Sequence, residues 1–261
     1  MIENKKVVCV IPARLRSSRF PKKILSSLSG KPLIQWAWEG ALRIPFFDEV
    51  VIAIDSEETA KVVESFHGKW IMTSEACSRG VERLVEIQQK RLLQGDIWVN
   101  WQADEPFLST QVIKDLLQSC SFSEAGIWTL KTKMKEDDRV QDPNICKVVC
   151  DVNGHALYFS RSPIPYEQEK AKGSIFRHIG LYAYSNAALE KISTMSSCEI
   201  EEAESLEQLR FLYHGLKIQV HETKELSIGI DLPEHLAEAE EYLKKQKLLG
   251  LLIENIPFNR V

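Results

Sequence analysis

Directly after the apolar run VVCVIPA, the chain sets Arg14, Arg16, Arg19, Lys22 and Lys23 within a dozen positions, with no acidic residue among them. Guanidinium forks match phosphate oxygens two at a time, and a charge-assisted hydrogen bond contributes roughly 1.5–3 kcal/mol. Several such groups could grip a triphosphate and stabilise the charge that moves onto a leaving pyrophosphate. A dinucleotide-binding loop would instead carry GxGxxG, letting bare amides approach the pyrophosphate. Here no glycine precedes Gly30, so side chains must meet the ligand. On this loop alone, a solvated basic edge and a nucleic-acid patch stay open. The formal charge of −4, the pI near 5.9 and Phe20 as the loop's lone aromatic weigh against nucleic acid.

Two acidic positions answer the basic loop. The strand-like run DIWVNW leads into QADEP, placing Asp104 and Glu105 at a strand end. A carboxylate beside a phosphate-binding loop repels the ligand unless a cation lies between them. Mg²⁺ suits that place, because it takes one or two carboxylates and completes its shell with phosphate oxygens and water. The plainer alternative is an acid that caps the next helix or pairs with a lysine. In IGIDLPEHL, Asp231 ends a short apolar segment before Pro233, where it could cap a helix or serve as a second metal carboxylate.

These residues need strands that end together. KVVCVI, EVVIAI and DIWVNW read as strands, and KPLIQWAWEGALR, SEETAKVVESF, RGVERLVEIQQKRLL and STQVIKDLLQ read as helices between or after them. Pro32 suits a first helical turn, and Ser56 an N-cap with acids behind it. Strand and helix in alternation predict right-handed crossovers and a mostly parallel sheet with helices on both faces. Ligands of such sheets bind beyond the carboxyl ends of the strands.

The second half is richer in strands: GIWTLKTKM, ICKVVCD, HALYFS and FRHIGLYAYS, with Asn153-Gly154 as a hairpin signal. A single helix is expected from about Glu199 to Tyr213, ending at Gly215, and another after Pro233. No linker or internal repeat divides the chain. We therefore expect one α/β domain over residues 1–261 with a β-rich portion around 125–185. The apolar tail LLGLLIENIPF calls for burial, for instance against a partner chain.

With 261 residues, 44% hydrophobic and 27% charged, the chain can bury a substantial core. No apolar run approaches the roughly 20 residues of a membrane span, and the N-terminal segment reads as a strand, so membrane insertion is not expected and a cytoplasmic location is. Cys9, Cys77, Cys120, Cys146, Cys150 and Cys198 show no CxxC pair, and the histidines no HExxH. Reduced structural thiols are expected, and zinc chemistry is not.

IPARLRSSRFPKK, GKPLIQWAWE, VNWQADEP, DPNICKVV, ALYFSRSPIPY, FRHIGLYAY, LEQLRFLYHG and GIDLPEHL, in that order, resemble the 3-deoxy-manno-octulosonate cytidylyltransferase (CMP-Kdo synthetase) family from about Lys6 to Leu243. The early loop is shared with many sugar nucleotidyltransferases; QADEP, YFSR, RHIGLY and LEQLR are the specific set. The resemblance implies a Rossmann-like nucleotide-diphospho-sugar transferase fold and a Mg²⁺-dependent homodimer that joins CTP to Kdo for lipopolysaccharide synthesis. It implies phosphate contacts from Arg14, Arg19 and Lys23, nucleotide contact from Gln102, and metal carboxylates at Asp104 and Asp231. For the acidic sugar it implies Arg161, His178, Tyr182, Glu207 and Gln208. From the residues themselves, Glu207 could equally pair with Arg210, and Gln208 could close a capping box with Ser205. Ala103 replaces the usual glycine of QGDEP, Arg79 and Val81 replace hydroxyl residues in the usual SGTER, and Ser74 stands where arginine is common. A sialic acid cytidylyltransferase and a non-catalytic nucleotide-binding module are the competing readings, and YFSR and LEQLR argue against the first.

Overall fold

The computed structural model describes residues 5–16, 20–121, 125–134, 139–168, 175–225, 229–230 and 232–248. β1 (Val7–Ala13) leads through the basic loop and a 3-10 turn at Lys23–Leu25 into a small ribbon, β2 (Ser27–Leu28) and β3 (Lys31–Pro32). Then come α1 (Leu33–Leu42), β4 (Glu49–Ile54), α2 (Glu57–Ser65), β5 (Trp70–Met72), α3 (Gly80–Gln89), β6 (Ile97–Asn100) and α4 (Thr110–Leu117). The second half runs β7 (Ile127–Lys133), β8 (Lys147–Cys150), β9 (Ala156–Ser160), β10 (Phe176–Ser185), α5 (Asn186–Ile192), α6 (Glu199–Glu204), α7 (Gln208–Tyr213), β11 (Ile218–Glu222) and α8 (His235–Leu248).

One sheet carries the fold, in the order β11-β7-β10-β6-β1-β4-β5, with β8 on β10 and β9 on β8. β6, β1, β4 and β5 are parallel neighbours, as are β11 and β7, whereas β10 runs antiparallel between β6 and β7. The mostly parallel sheet is as expected. The β-rich stretch contributes its two long strands, β7 and β10, to that central sheet, and the hairpin of β8 and β9 lies off its main path.

Strand alternation sorts the core into two layers. Val7, Cys9 and Ile11 of β1 face a cluster with Ile34, Trp38, Val63, Ile113 and Leu116, from α1, α2 and α4. Val8 and Val10 face the other, with Val81, Leu84, Ile87, Leu189 and Phe211, from α3, α5 and α7. Helices therefore cover both faces, and β1 is buried on each.

Local signals mostly hold. Ser56 accepts a hydrogen bond from Thr59 N at the start of α2. Gly154 turns the β8–β9 hairpin with φ 80°, and Gly215 ends α7 with φ 79°. Pro32 sits one place earlier than expected, at the N-cap of α1. The apolar tail beyond Leu248, which ends α8, falls outside the described residues.

The expected single helix from Glu199 to Tyr213 is broken. Ser205 takes a left-handed conformation, φ 50° and ψ 45°, ending α6, and α7 starts again at Gln208. Ser205 therefore opens no capping box with Gln208. After the break, Leu206 packs into the core with Leu209 and Phe211. Because a β-branched residue resists positive φ, Ser205→Val is expected to cost about 1–2 kcal/mol, and Ser205→Gly to be neutral or stabilising. Urea unfolding of the two variants checks this; equal midpoints would show that the kink carries no conformational strain.

Candidate active site

Three parallel strands end side by side: Ala13 of β1 is in register with Ile54 of β4, and Val10 of β1 with Asn100 of β6. The residues just past these ends form the site. Arg14 follows β1, Asp55 follows β4, and Gln102 and Asp104 follow β6.

The basic loop is held by buried charge that the sequence reading missed. Asp55 Oδ1 accepts from Leu15 N at 2.9 Å, and its Oδ2 from Arg83 Nη2 at 2.8 Å. Arg83 is 1% exposed, and its Nη1 donates to Thr73 Oγ1 at 2.6 Å. The position of Asp55 directly after a strand run was the available signal. Arg14 donates from Nη1 to Ser78 O at 2.8 Å, tying the loop to the segment before α3. Glu82 fixes that segment by accepting from Ser78 N at 2.6 Å and Arg79 N at 3.1 Å. α3 must begin with glycine here: a Cβ on Gly80 would lie 2.9 Å from Asn100 Nδ2.

Lys23 crosses to Asp104, Nζ to Oδ2 at 2.5 Å, so the cation that this carboxylate needs is supplied by the chain itself. The side chain of Lys23 is only 13% exposed. Arg19 and Asp231 lie outside the described residues. Ile230, the residue before Asp231, donates from its N–H to Asp104 O at 2.9 Å. Gln102 is half-buried, and its carbonyl accepts from Glu105 N at 3.0 Å. Among the described residues, no group of three or more His, Cys, Asp or Glu side chains could hold a metal ion.

A second cluster lies beside this one, because Tyr182 of β10 is in register with Asn100 of β6. Between Ile179 and Tyr182, β10 carries two residues more than β7 opposite. An even insertion preserves side-chain parity, so His178 and Tyr182 keep one face, with ring centroids 5.4 Å apart. Thr129 Oγ1 lies 2.9 Å from Leu181 O and 3.0 Å from His178 Nε2. If the hydroxyl proton goes to the bulge carbonyl, His178 donates through Nε2–H and keeps Nδ1 as an acceptor. Burial pushes the imidazole pKa down to about 3.

Gln208 donates from Nε2 to Cys146 Sγ at 3.8 Å. Glu207 is close enough to affect both Tyr182 and Tyr184, and burial raises its carboxyl to about 7. Glu207 is not the partner of Arg210, which instead pairs with Glu201, Nε to Oε2 and Nη2 to Oε1, both at 2.7 Å. Arg161 stands at the α6–α7 break and directs its guanidinium to main-chain carbonyls: Nε to Glu204 O at 2.7 Å and Nη1 to Pro143 O at 2.8 Å. The structure thus brings Arg14, Lys23 and Asp104 to the strand ends, and His178, Tyr182, Glu207 and Gln208 to a neighbouring, largely buried cluster. Arg161 buttresses the turn that presents the last two.

A family model described as cytidylyltransferase matches residues 8–218 of this α/β sheet with cations and a carboxylate at its strand ends, which makes the protein a nucleotidyltransferase. A 3-deoxy-manno-octulosonate cytidylyltransferase of Thermodesulfovibrio yellowstonii is 43% identical over 248 residues, covering 90% of this chain and 97% of the relative. One of the same name from Chlamydia pneumoniae is 40% identical, covering 92% of this chain and 96% of the relative. A solved CMP:2-keto-3-deoxy-manno-octonic acid synthetase, complexed with CTP, superposes with a TM-score of 0.87 at 37% identity, covering 92% of this chain and 99% of that one. The chain belongs to the 3-deoxy-manno-octulosonate cytidylyltransferase family.

Two histidines predict how stability follows pH. Burial lowers His178 to about 3 and His221 to about 4, below the ordinary value of 6.5. The unfolded chain then binds more protons than the native one, so stability should fall as pH drops from about 6.5 toward 3. Imidazole NMR should show neither ring titrating between pH 5 and 8. A midpoint near 6.5 for His178 would contradict its burial against Thr129.

Proposed function

We propose that the protein transfers the cytidylyl group of CTP to the anomeric hydroxyl of 3-deoxy-manno-octulosonate (Kdo), giving CMP-Kdo and pyrophosphate for lipopolysaccharide synthesis. The observation that carries this reading is the adjacency of two chemically different clusters across one strand pair, β6 and β10. Arg14 and Lys23 beside Asp104 suit a polyphosphate. His178, Tyr182, Glu207 and Gln208 offer the donors and acceptors that a polyhydroxylated sugar acid needs. The relatives' names and the neighbour's bound CTP support the same pairing.

In the reaction, the sugar hydroxyl forms a new bond to the α-phosphorus, the bond to the β-phosphate oxygen breaks, and the hydroxyl proton passes to water. Arg14, Lys23 and, by resemblance, Arg19 hold the phosphates and offset the charge gathering on pyrophosphate. Gln102 orients the nucleotide. The hydroxyl-binding wall holds the sugar in place, removing much of the entropic cost of bringing two substrates together. Arg161 supports the turn bearing Glu207, and those of its N–H groups not given to carbonyls are offered to the sugar carboxylate.

The donor chemistry fits Mg²⁺. A half-exposed aspartate at a strand end, beside cations suited to phosphate, matches an ion that takes one or two carboxylates and completes its shell with phosphates and water. Asp104 and Asp231 would hold it, and when bound it would withdraw charge from the phosphates. Lys23 would then pair with a phosphate in place of Asp104.

Purified protein given CTP, Mg²⁺ and Kdo should release pyrophosphate, and sialic acid in place of Kdo should give none. Release with neither sugar overturns the reading. Lys23→Ala should lower kcat/KM about 100-fold or more while costing at most about 1 kcal/mol of stability, since Asp104 can be hydrated. A variant that melts early and turns over normally would show the lysine to be structural.

We further propose that the enzyme works in the cytoplasm as a homodimer whose partner covers the β8–β9 side, where Val152, Leu157 and Tyr166 are 98%, 62% and 86% exposed. Sedimentation velocity should give twice the mass of one chain, and Leu157→Glu should weaken the assembly. A monomer at micromolar concentration counts against it.

A further inference from the structure

Oε1 of Glu207 is buried and has no hydrogen-bond partner among the described residues. A buried carboxylate in that condition is costly unless a charge stands near it. The groups facing Glu207 come from four elements: Arg79 and Glu82 at the start of α3, Glu201 of α6, Arg210 of α7, and the neutral hydroxyls of Tyr182 and Tyr184 on β10.

Glu201 is fully buried, and Arg210 alone contacts both of its oxygens at 2.7 Å. That pair is complete. Yet Arg79 also reaches Glu201, Nη2 to Oε1 at 3.1 Å. Glu201 thus faces two guanidinium groups. Glu82 spends its Oε2 on Ser78 N and Arg79 N, not on a guanidinium. Glu207, the other acid facing this cluster, is the one with an unpartnered oxygen. Arg79 is itself well anchored, since it follows Ser78, whose carbonyl binds Arg14, and precedes Gly80, which packs on Asn100.

We propose that Arg79 is a positioning residue: it supplies the positive charge that keeps Glu207 ionised, so that this carboxylate can accept hydrogen bonds from the sugar's hydroxyls. This rests on the reading of Glu207 as part of the sugar-binding wall. Burial drives the Glu207 carboxyl up toward 7, and Arg79 is the foremost charge opposing that rise. The same residue joins the two halves of the site. Its main chain belongs to the segment that holds Arg14 on the phosphate side, and its guanidinium reaches the sugar side.

The experiment follows the Glu207 carboxyl by ¹³C NMR in protein labelled at glutamate, the resonance being assigned by its loss in Glu207→Gln. Arg79→Met should raise the midpoint by about one pH unit and Arg79→Lys should restore most of it. At pH 7, Arg79→Met should raise KM for Kdo about 5- to 10-fold and leave KM for CTP within about two-fold. At pH 9, where Glu207 is ionised with or without Arg79, the KM difference should close. Arg210 still holds Glu201 in Arg79→Met, so the fold should survive; should it not, Arg79→Gln serves in its place. An unmoved Glu207 midpoint overturns the proposal, as does a KM change that is equal for both substrates or independent of pH. If the wild-type protein does not turn over Kdo, the assignment of the sugar wall fails, whereas the titration still decides whether Arg79 sets the charge of Glu207.

Discussion

A strand buried on both faces can hold no charge along its length, and β1 is such a strand. Val7 to Ile11 are no more than 1% exposed, between β4 and β6 in the sheet and beneath helices on each side. The polar demands of β1 and its parallel neighbours are therefore displaced to the strand termini. At the amino ends, Asp48 accepts from Val7 N and Asp96 from Lys6 N, each at 2.7 Å. At the carboxyl ends, Asp55 and Asp104 receive Leu15 N and Lys23 Nζ. Only the second set faces a loop rich in cations. The chemistry gathers at one end because parallel neighbours place all their carboxyl termini there.

Arg83, Glu201 and Lys147, charges buried to build this site, are each paired or hydrogen-bonded, whereas Glu207 keeps one oxygen without a hydrogen-bond partner among the described residues. Arg83 lies between Asp55 and Thr73, and Glu201 is matched by Arg210. Lys147, with no exposed surface, donates to Asp142 O, Ile145 O and Arg161 O at 3.0, 2.7 and 2.6 Å. Buried pairs of this kind add little net stability once desolvation is counted, whereas removing one partner costs about 3–5 kcal/mol. Their value here is positional. Lys147 fixes Arg161, Arg161 fixes the carbonyls of Glu204 and Ser205, and that turn presents Glu207 and Gln208.

The sheet and its helices were legible because alternation and helical spacing are local properties of the chain. Ser56, Gly154 and Gly215 declared themselves by residue type. The break at Ser205 did not, because no glycine or proline marks it and serine gives no local sign of a left-handed turn. Arg83 read as one more charge on a helix face, since nothing in its neighbourhood reveals that Asp55, 28 positions earlier, lies beside it. Family resemblance named His178, Tyr182, Glu207 and Gln208, and the structure gathers them in one cluster. It could not say that Arg161 reaches main-chain carbonyls or that Lys23 lies on Asp104. Arg19 and Asp231 belong to segments outside the described residues.

The antiparallel course of β10 makes a two-substrate site possible. A sheet of parallel strands alone would bring only turns to its carboxyl edge, and a second ligand would have to share the loops that hold the phosphates. β10 runs the other way, so it enters the sheet from that edge, with Tyr182 beside Asn100 at the end of β6 and His178 beyond it beside β7. Side chains of a strand interior, more rigid than those of a loop, then form the second cluster. The two-residue bulge bends the strand there without exchanging its faces, so the rings of His178 and Tyr182 remain together. The cationic cluster is thus carried by loops, and the cluster of His178, Tyr182, Glu207 and Gln208 by a strand and a helix turn. Donors and acceptors fixed on such elements are what discrimination among rigid ligands requires.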